Sequence, residues 1–246
     1  MKKFLYFLPF FVFLVSCAKK ITVPSSFDYK EIFASEYVLA SWQKITDNNS
    51  PIHIYIEGDG NAFNSYGYPT DNPTPKGTFL RELAFNDECK NVAYIARPGQ
   101  FVKNQNKNQT DWTTSRFSEK IVNSVSQAVK EIAGKRPVVL IGYSGGALLS
   151  GLVISRNPDL KIVKWVTIAG VLNHKKWTEF LKLPPLKDSL DLDVLPDVKQ
   201  VHIVGEKDKI VPVELTKSIV PEETLIIVPK AKHKIVDFDM YILYNN

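Results

Sequence analysis

Cysteine is almost missing from this chain: Cys17 and Cys89 are the only two in 246 residues, so a multi-bridge disulfide framework is excluded. No segment is of low complexity and no period repeats, which removes solenoids and propellers. No apolar run reaches the roughly 20 residues that a membrane-spanning helix needs. Charge of one sign is also scarce. Against 26 Asp and Glu stand 31 Lys and Arg, a net charge of +5. Lys2 and Lys3 fall in a segment expected to be removed, leaving 5 − 2 = +3. The lysines are scattered rather than gathered into a basic stripe, so no nucleic-acid partner is expected. What remains is the composition of a globular protein, 44% hydrophobic and 23% charged, at a length that suits one α/β domain.

The N-terminus reads as an address. Lys2 and Lys3 precede an apolar run, Phe4 to Val15, broken only by Pro9; its length is that of a secretory signal core. The run ends Leu14-Val15-Ser16-Cys17, which resembles the bacterial lipobox. That resemblance implies cleavage before Cys17 and attachment of a diacylglyceryl group to it. Residues 1–16 are then a signal peptide, 17–26 a polar tether and 27–246 the folded domain. The mature protein is expected to be secreted and held by lipid on a bacterial membrane, on the periplasmic or the cell-surface side. The plainer alternative is an ordinary signal peptide with an incidental cysteine. If Cys17 carries lipid, Cys89 is the one thiol left, and it reads as a small buried residue with no obvious base beside it.

From about Asp28, apolar runs of four to seven residues alternate with helical periodicity. Strands are expected at Tyr37 to Ile45, Ile52 to Ile56, Val92 to Ala96, Val138 to Ile141, Ile162 to Ile168, Val201 to Val204 and Leu225 to Val228. Helices are expected at Pro75 to Phe85 with Thr74 as cap, Ser115 to Ala133, Gly145 to Arg156 and Pro212 to Val220. Such alternation predicts an α/β fold with a mostly parallel central sheet of about 7–8 strands flanked by helices. Ligands of such sheets bind beyond the carboxyl ends of the strands.

Gly142-Tyr143-Ser144-Gly145-Gly146 matches G-x-S-x-G, and it stands between an expected buried strand and a wholly apolar helix. In that context the serine sits on a sharp strand-to-helix turn. A glycine-rich tight turn without chemistry is the plainer alternative. Serine is a weak nucleophile and needs a base. Of four histidines, His53 and His202 lie in expected strands and His174 in a loop, whereas His233 follows the last strand and is the expected base. Asp208, in the turn after the strand at 201–204, is the expected acid. Glu206 is its nearest competitor, with Asp188, Asp191 and Asp193 behind.

The order Ser144, Asp208, His233, each after its own strand, resembles the α/β-hydrolase superfamily from Ile52 to His233. Within it, Tyr-Ile-Glu-Gly-Asp-Gly at 55–60, Ala-Arg-Pro-x-Gln at 96–100, Trp-Thr at 112–113, Arg-Phe-Ser-Glu at 116–119 and the serine motif resemble a narrower group of bacterial α/β-hydrolases. The resemblance implies an oxyanion hole from the N–H of Gly145 and that of Asp59, with Gly60 as the alternative. The Asp59 carboxylate is expected to turn away from a developing anion, or to hold its loop through an Asx-type bond. Trp112 with Arg116, and His174 with Trp177, either border the pocket or are ordinary rim aromatics and surface ion pairs. The segment 171–199 is long enough to form a small cap.

The implied activity is cleavage of a carboxylic ester, a small-molecule substrate, through an acyl-enzyme, with no cofactor and no metal. A peptidase or acyltransferase would use the same three residues, and a binding or scaffold lipoprotein could keep the fold without the chemistry.

Overall fold

In a computed structural model of the protein, which describes residues 21–102, 108–235 and 240–244, eight strands form one sheet. They are β1 (Asp28–Ala34), β2 (Tyr37–Ile45), β3 (Ile52–Ile56), β4 (Asn91–Ile95), β5 (Val138–Tyr143), β6 (Ile162–Ile168), β7 (Gln200–Gly205) and β8 (Leu225–Val228). Their order across the sheet is β1-β2-β4-β3-β5-β6-β7-β8. β2 pairs antiparallel with both of its neighbours, and every other pairing is parallel. The signal segment and Cys17 lie outside the described residues.

Burial on both faces explains why the central strands are continuous apolar runs. Along β3, Ile52, Ile54 and Ile56 join the core under α2 (Glu119–Ala133) and α3 (Gly145–Arg156). Tyr55, between them, faces the opposite core under α1 (Phe79–Phe85). The helix α2 buries Ile121, Val122, Val125, Ala128, Val129 and Ile132, an apolar stripe at helical spacing. Buried from Gly145 through Ile154, α3 is apolar all round because it lies between sheet and neighbouring helix.

Several elements differ from the sequence expectation. The helix α1 begins at Phe79 rather than Pro75, because the Thr74 hydroxyl, instead of capping a helix, accepts the Phe101 N–H at 2.8 Å. The start of α2 is Glu119, after Ser118, and not Ser115. A fourth helix, α4 (His174–Phe180), stands where a loop was expected. Asn173 caps it from the Lys176 N–H at 2.8 Å. Asp191 reaches back to the N–H groups of His174 and Lys175 at 2.9 and 3.0 Å. A short fifth helix, α5 (Val213–Lys217), follows β7.

At the amino end of β4, Cys89 is half-buried and has a base nearby after all: its thiol donates to the Pro51 carbonyl at 3.6 Å, and the neighbouring His53 holds it below the ordinary thiol value against the effect of burial. His53 Nδ1 lies 2.7 Å from the Asp87 carboxylate. The residues come from different elements, β3 and the turn before β4, so linear reading did not join them.

Candidate active site

Three post-strand turns converge at the carboxyl edge of the sheet. Ser144 leaves β5 at φ 52°, ψ −122°, a left-handed conformation that costs a non-glycine residue about 1–3 kcal/mol. The turn is held by the Ser144 N–H on the Ile168 carbonyl at 3.0 Å and by the Ser144 carbonyl, which accepts the Val171 N–H at 3.0 Å. The following helix crosses β3 so closely that a β-carbon on Gly146 would lie 2.3 Å from the Ile56 carbonyl oxygen. Only glycine fits there, which is the physical content of the motif.

Ser144 Oγ lies 3.0 Å from His233 Nε2, and His233 Nδ1 lies 2.8 Å from Asp208 Oδ2. The other Asp208 oxygen accepts the N–H groups of Ile210 and Val211 at 2.8 and 3.0 Å. The Asp208 carboxylate is thereby oriented while fully buried, as a hydrogen-bonded anion can be. Two of the competing acids are engaged elsewhere. Glu206 accepts the Lys230 N–H at 2.7 Å, and Asp191 holds the start of α4.

Beside Ser144 runs the loop after β3. A β-carbon on Gly58 would come within 3.0 Å of that of Ser144, which brings the next peptide, Gly58–Asp59, against the serine. The N–H groups of Gly145, Asp59 and Gly60 donate to no acceptor among the described residues. Gly60, at φ 65°, turns its α-carbon toward Pro73 and Gln100. Gln100 fixes the loop by donating to the Gly58 carbonyl at 3.0 Å while accepting the Arg97 N–H at 3.0 Å.

The Asp59 carboxylate does not turn away, nor does it make an Asx bond. One oxygen packs against Gly145, 2.1 Å from where a β-carbon would stand. It is ion-paired to Arg97, and its other oxygen is 2.5 Å from Arg116 Nη1. Burial would push its carboxyl up, but the Arg116 and Arg97 guanidinium groups outweigh that and hold it below the usual carboxylate range. Neutralised by two cations, a carboxylate is tolerable next to the serine. Arg97 and Gln100 stand in the sequence stretch that carried the narrower resemblance, yet the linear reading gave them no role.

A cavity of about 730 Å³ opens in front of these groups, bounded by Ser144, His233, Asp59, Arg116, Trp177 and Leu183, among others. Of the four expected rim residues, Arg116 and Trp177 line it and the other two do not. Trp112 is buried with its indole N–H on the Thr70 carbonyl at 2.9 Å, wedged against Gly99. His174 is buried, stacked on Phe117 at 5.9 Å, because the cap of α4 turns it inward. Trp177 from α4 and the stretch 183–186 bring the segment 171–199 to the cavity wall. Among the described residues, no group of three or more His, Cys, Asp or Glu side chains is placed to hold a metal ion. Nor is any described helix long and apolar enough to cross a membrane.

Residues 83–233 match the serine hydrolase (FSH1) family. No curated protein matches the chain. Solved structures of similar fold include an α/β serine hydrolase homologue from Coxiella burnetii, 15% identical at a TM-score of 0.54, covering 84% of this chain and 89% of that one. An α/β serine hydrolase without a lid from Xanthomonas campestris is 14% identical at 0.52, covering 87% and 88%. A thioesterase domain from the curacin biosynthetic pathway is 13% identical at 0.55, covering 85% and 94%. At such identities the likeness is one of fold, and the fold is that of the α/β-hydrolases.

Proposed function

The chain belongs to the serine hydrolase (FSH1) family, and we propose that it cleaves carboxylic esters through an acyl-enzyme on Ser144. The observation that carries this is the unbroken hydrogen-bonded series Ser144–His233–Asp208 at the floor of the cavity. His233 Nε2 takes the Ser144 proton as Oγ attacks the carbonyl carbon, while Asp208 fixes the ring and balances the imidazolium. The tetrahedral oxyanion is held by the N–H groups of Gly145, at the positive end of α3, and Asp59. The tetrahedral intermediate collapses with loss of the alcohol, which leaves with the proton from His233. Water, deprotonated by His233, then attacks the acyl carbon, and the carboxylic acid and Ser144 are released.

A fluorophosphonate probe should label the wild-type protein and not Ser144→Ala, and a chain-length series of aryl esters should show turnover. An unlabelled, correctly folded wild type would overturn the reading. The same proposal places the protein on a bacterial membrane through lipid on Cys17. Metabolic labelling with palmitate that persists in Cys17→Ser would sink that part alone.

A further inference from the structure

Ester hydrolysis as described uses Arg116 only to balance Asp59 and leaves the rest of its guanidinium without a task. Arg116 is only 5% exposed. Its guanidinium makes one hydrogen bond, from Nη1 to Asp59 at 2.5 Å. Nε is buried with no hydrogen-bond partner among the described residues. The guanidinium lies over the rings of Phe63 and Trp177, whose centres are 5.7 Å from its central carbon. Both rings, like Arg116, line the cavity in front of Ser144. Leaving charged donors unsatisfied costs on the order of 1–3 kcal/mol or more, and Nη2, which also makes no hydrogen bond among the described residues, is not closed off as Nε is, so the guanidinium keeps room for an acceptor at the cavity wall.

The charge count says what kind of acceptor. Asp59 supplies one negative charge to Arg97 and Arg116 together, which leaves a surplus of one positive charge. Glu57, the other carboxylate nearby, is faced by Arg81 as well as Arg97, so counting it together with Arg81 leaves that surplus unchanged, and its oxygens accept the Tyr94 hydroxyl at 2.7 Å and the Gly58 N–H at 2.9 Å. Arg97 has no freedom to help, since it is held by Asp59 and by the Arg116 carbonyl. At the mouth, the exposed Lys76 and Lys234 add positive charge. Much of the remaining wall is apolar, with Phe79, Leu183, Pro185 and Ile210. A planar guanidinium between aromatic faces is suited to a carboxylate or a phosphate, which it can grip through two donors.

We propose that Arg116 is the anion-recognising residue of this cavity, and that the substrate is an ester carrying a second, negatively charged group, a carboxylate or phosphate, on an otherwise apolar frame. The proposal rests on the hydrolase reading for its reaction but not for its binding. Arg116 acts on the charged end of the substrate and takes no part in proton transfer. It is a specificity residue, and its signature is a change in preference.

The test compares two 4-nitrophenyl esters of equal length, one of valeric acid and one of glutaric acid, whose free carboxylate is the sole difference. In the wild type kcat/KM should favour the glutarate by at least tenfold, mostly through KM. In Arg116→Gln that ratio should fall by tenfold or more, and Arg116→Lys should restore part of it. The ratio is taken within each variant, so a loss of folded protein cancels. Phenyl phosphate and benzoate as competing ligands separate phosphate from carboxylate: the better inhibitor of the wild type names the preferred anion. A wild type that favours valerate, or a glutarate preference that survives in Arg116→Gln, overturns the proposal. If no ester turns over and the fluorophosphonate fails, the hydrolase reading falls by itself. Calorimetric titration with monophenyl glutarate and phenyl phosphate then decides: saturable binding lost in Arg116→Gln sustains the anion site, and no saturable binding ends it.

Discussion

The two ends of the sheet carry nearly the same chemical inventory. At the carboxyl end stand a serine, a histidine and a buried aspartate; at the amino end stand Cys89, His53 and Asp87, with His53 Nδ1 on the Asp87 carboxylate and the thiol near the imidazole. Their surroundings differ. Ser144 sits on a strained turn at the positive end of a 12-residue helix, with free N–H groups beside it and a cavity of about 730 Å³ in front. Cys89 follows α1 at that helix's carboxyl end, where partial negative charge opposes an oxyanion. Its own N–H is spent on Asp87 at 2.8 Å, and the hollow beside it is about 380 Å³. A nucleophile, a base and an acid therefore do not make a hydrolase site; free donors aimed at the developing charge do.

The largest effect that would break this contrast lies in the acids. Asp208→Asn keeps the shape of the carboxyl end but presents an amide to His233 Nδ1, so the ring loses its anionic partner. Ester kcat/KM should fall on the order of 10³-fold or more, with the melting temperature little changed. Cys89→Ala should leave fluorophosphonate labelling intact. Labelling lost with Cys89, or kinetics indifferent to Asp208→Asn, would reverse the roles of the two ends.

Next in size is a stability effect confined to the amino end. Asp87 accepts the Tyr55 hydroxyl at 2.7 Å, the Cys89 N–H and the Tyr244 hydroxyl besides His53. Asp87→Ala strands a buried imidazolium and several donors, and should destabilise the protein by roughly 3–5 kcal/mol. Denaturant unfolding would measure it, while kcat of the folded fraction stays near wild type. A large fall in kcat at unchanged stability would show that the two ends are coupled.

How much of this was legible in sequence follows from what each feature depends on. Ser144, Asp208 and His233 each directly follow a strand whose apolar run is visible in the chain, so their meeting at one edge follows from the parallel topology. The cluster at Asp87 joins β3 to the turn before β4, and no local pattern reports that proximity. Similarly, the pairing of Asp59 with Arg97 and Arg116 spans 38 and 57 positions. The sequence motifs marked those residues as notable, but the sign of their effect on Asp59 needed the fold. The helix α4 escaped because its cap is supplied partly by Asp191, 17 residues away from His174, and tertiary capping leaves no periodic trace.

The smallest expected effect separates two strand histidines that the sequence treated alike. His53 and His202 are both buried. Burial alone would lower both, yet Asp87 carries His53 up to about 9, while burial holds His202 down at about 4. The partners of His202 are neutral, Thr167 Oγ1 at 2.8 Å and Gln200 Oε1 at 3.0 Å. A histidine depressed from 6.5 in the unfolded chain contributes stability that is complete above that value and is lost as pH falls toward 4. By pH 4 the loss is on the order of 3 kcal/mol. His53, raised above its unfolded value, keeps its whole contribution throughout that window and loses it only as pH climbs through about 9. The lowered carboxyls of Asp59 and Asp87 lose theirs only below about 3.8. The difference in unfolding free energy between wild type and His202→Gln should therefore shrink steadily from pH 6.5 to 4. If that difference stays flat, His202 does not enter the fold as a neutral ring, and the distinction between a carboxylate-paired and an amide-paired strand histidine falls with it.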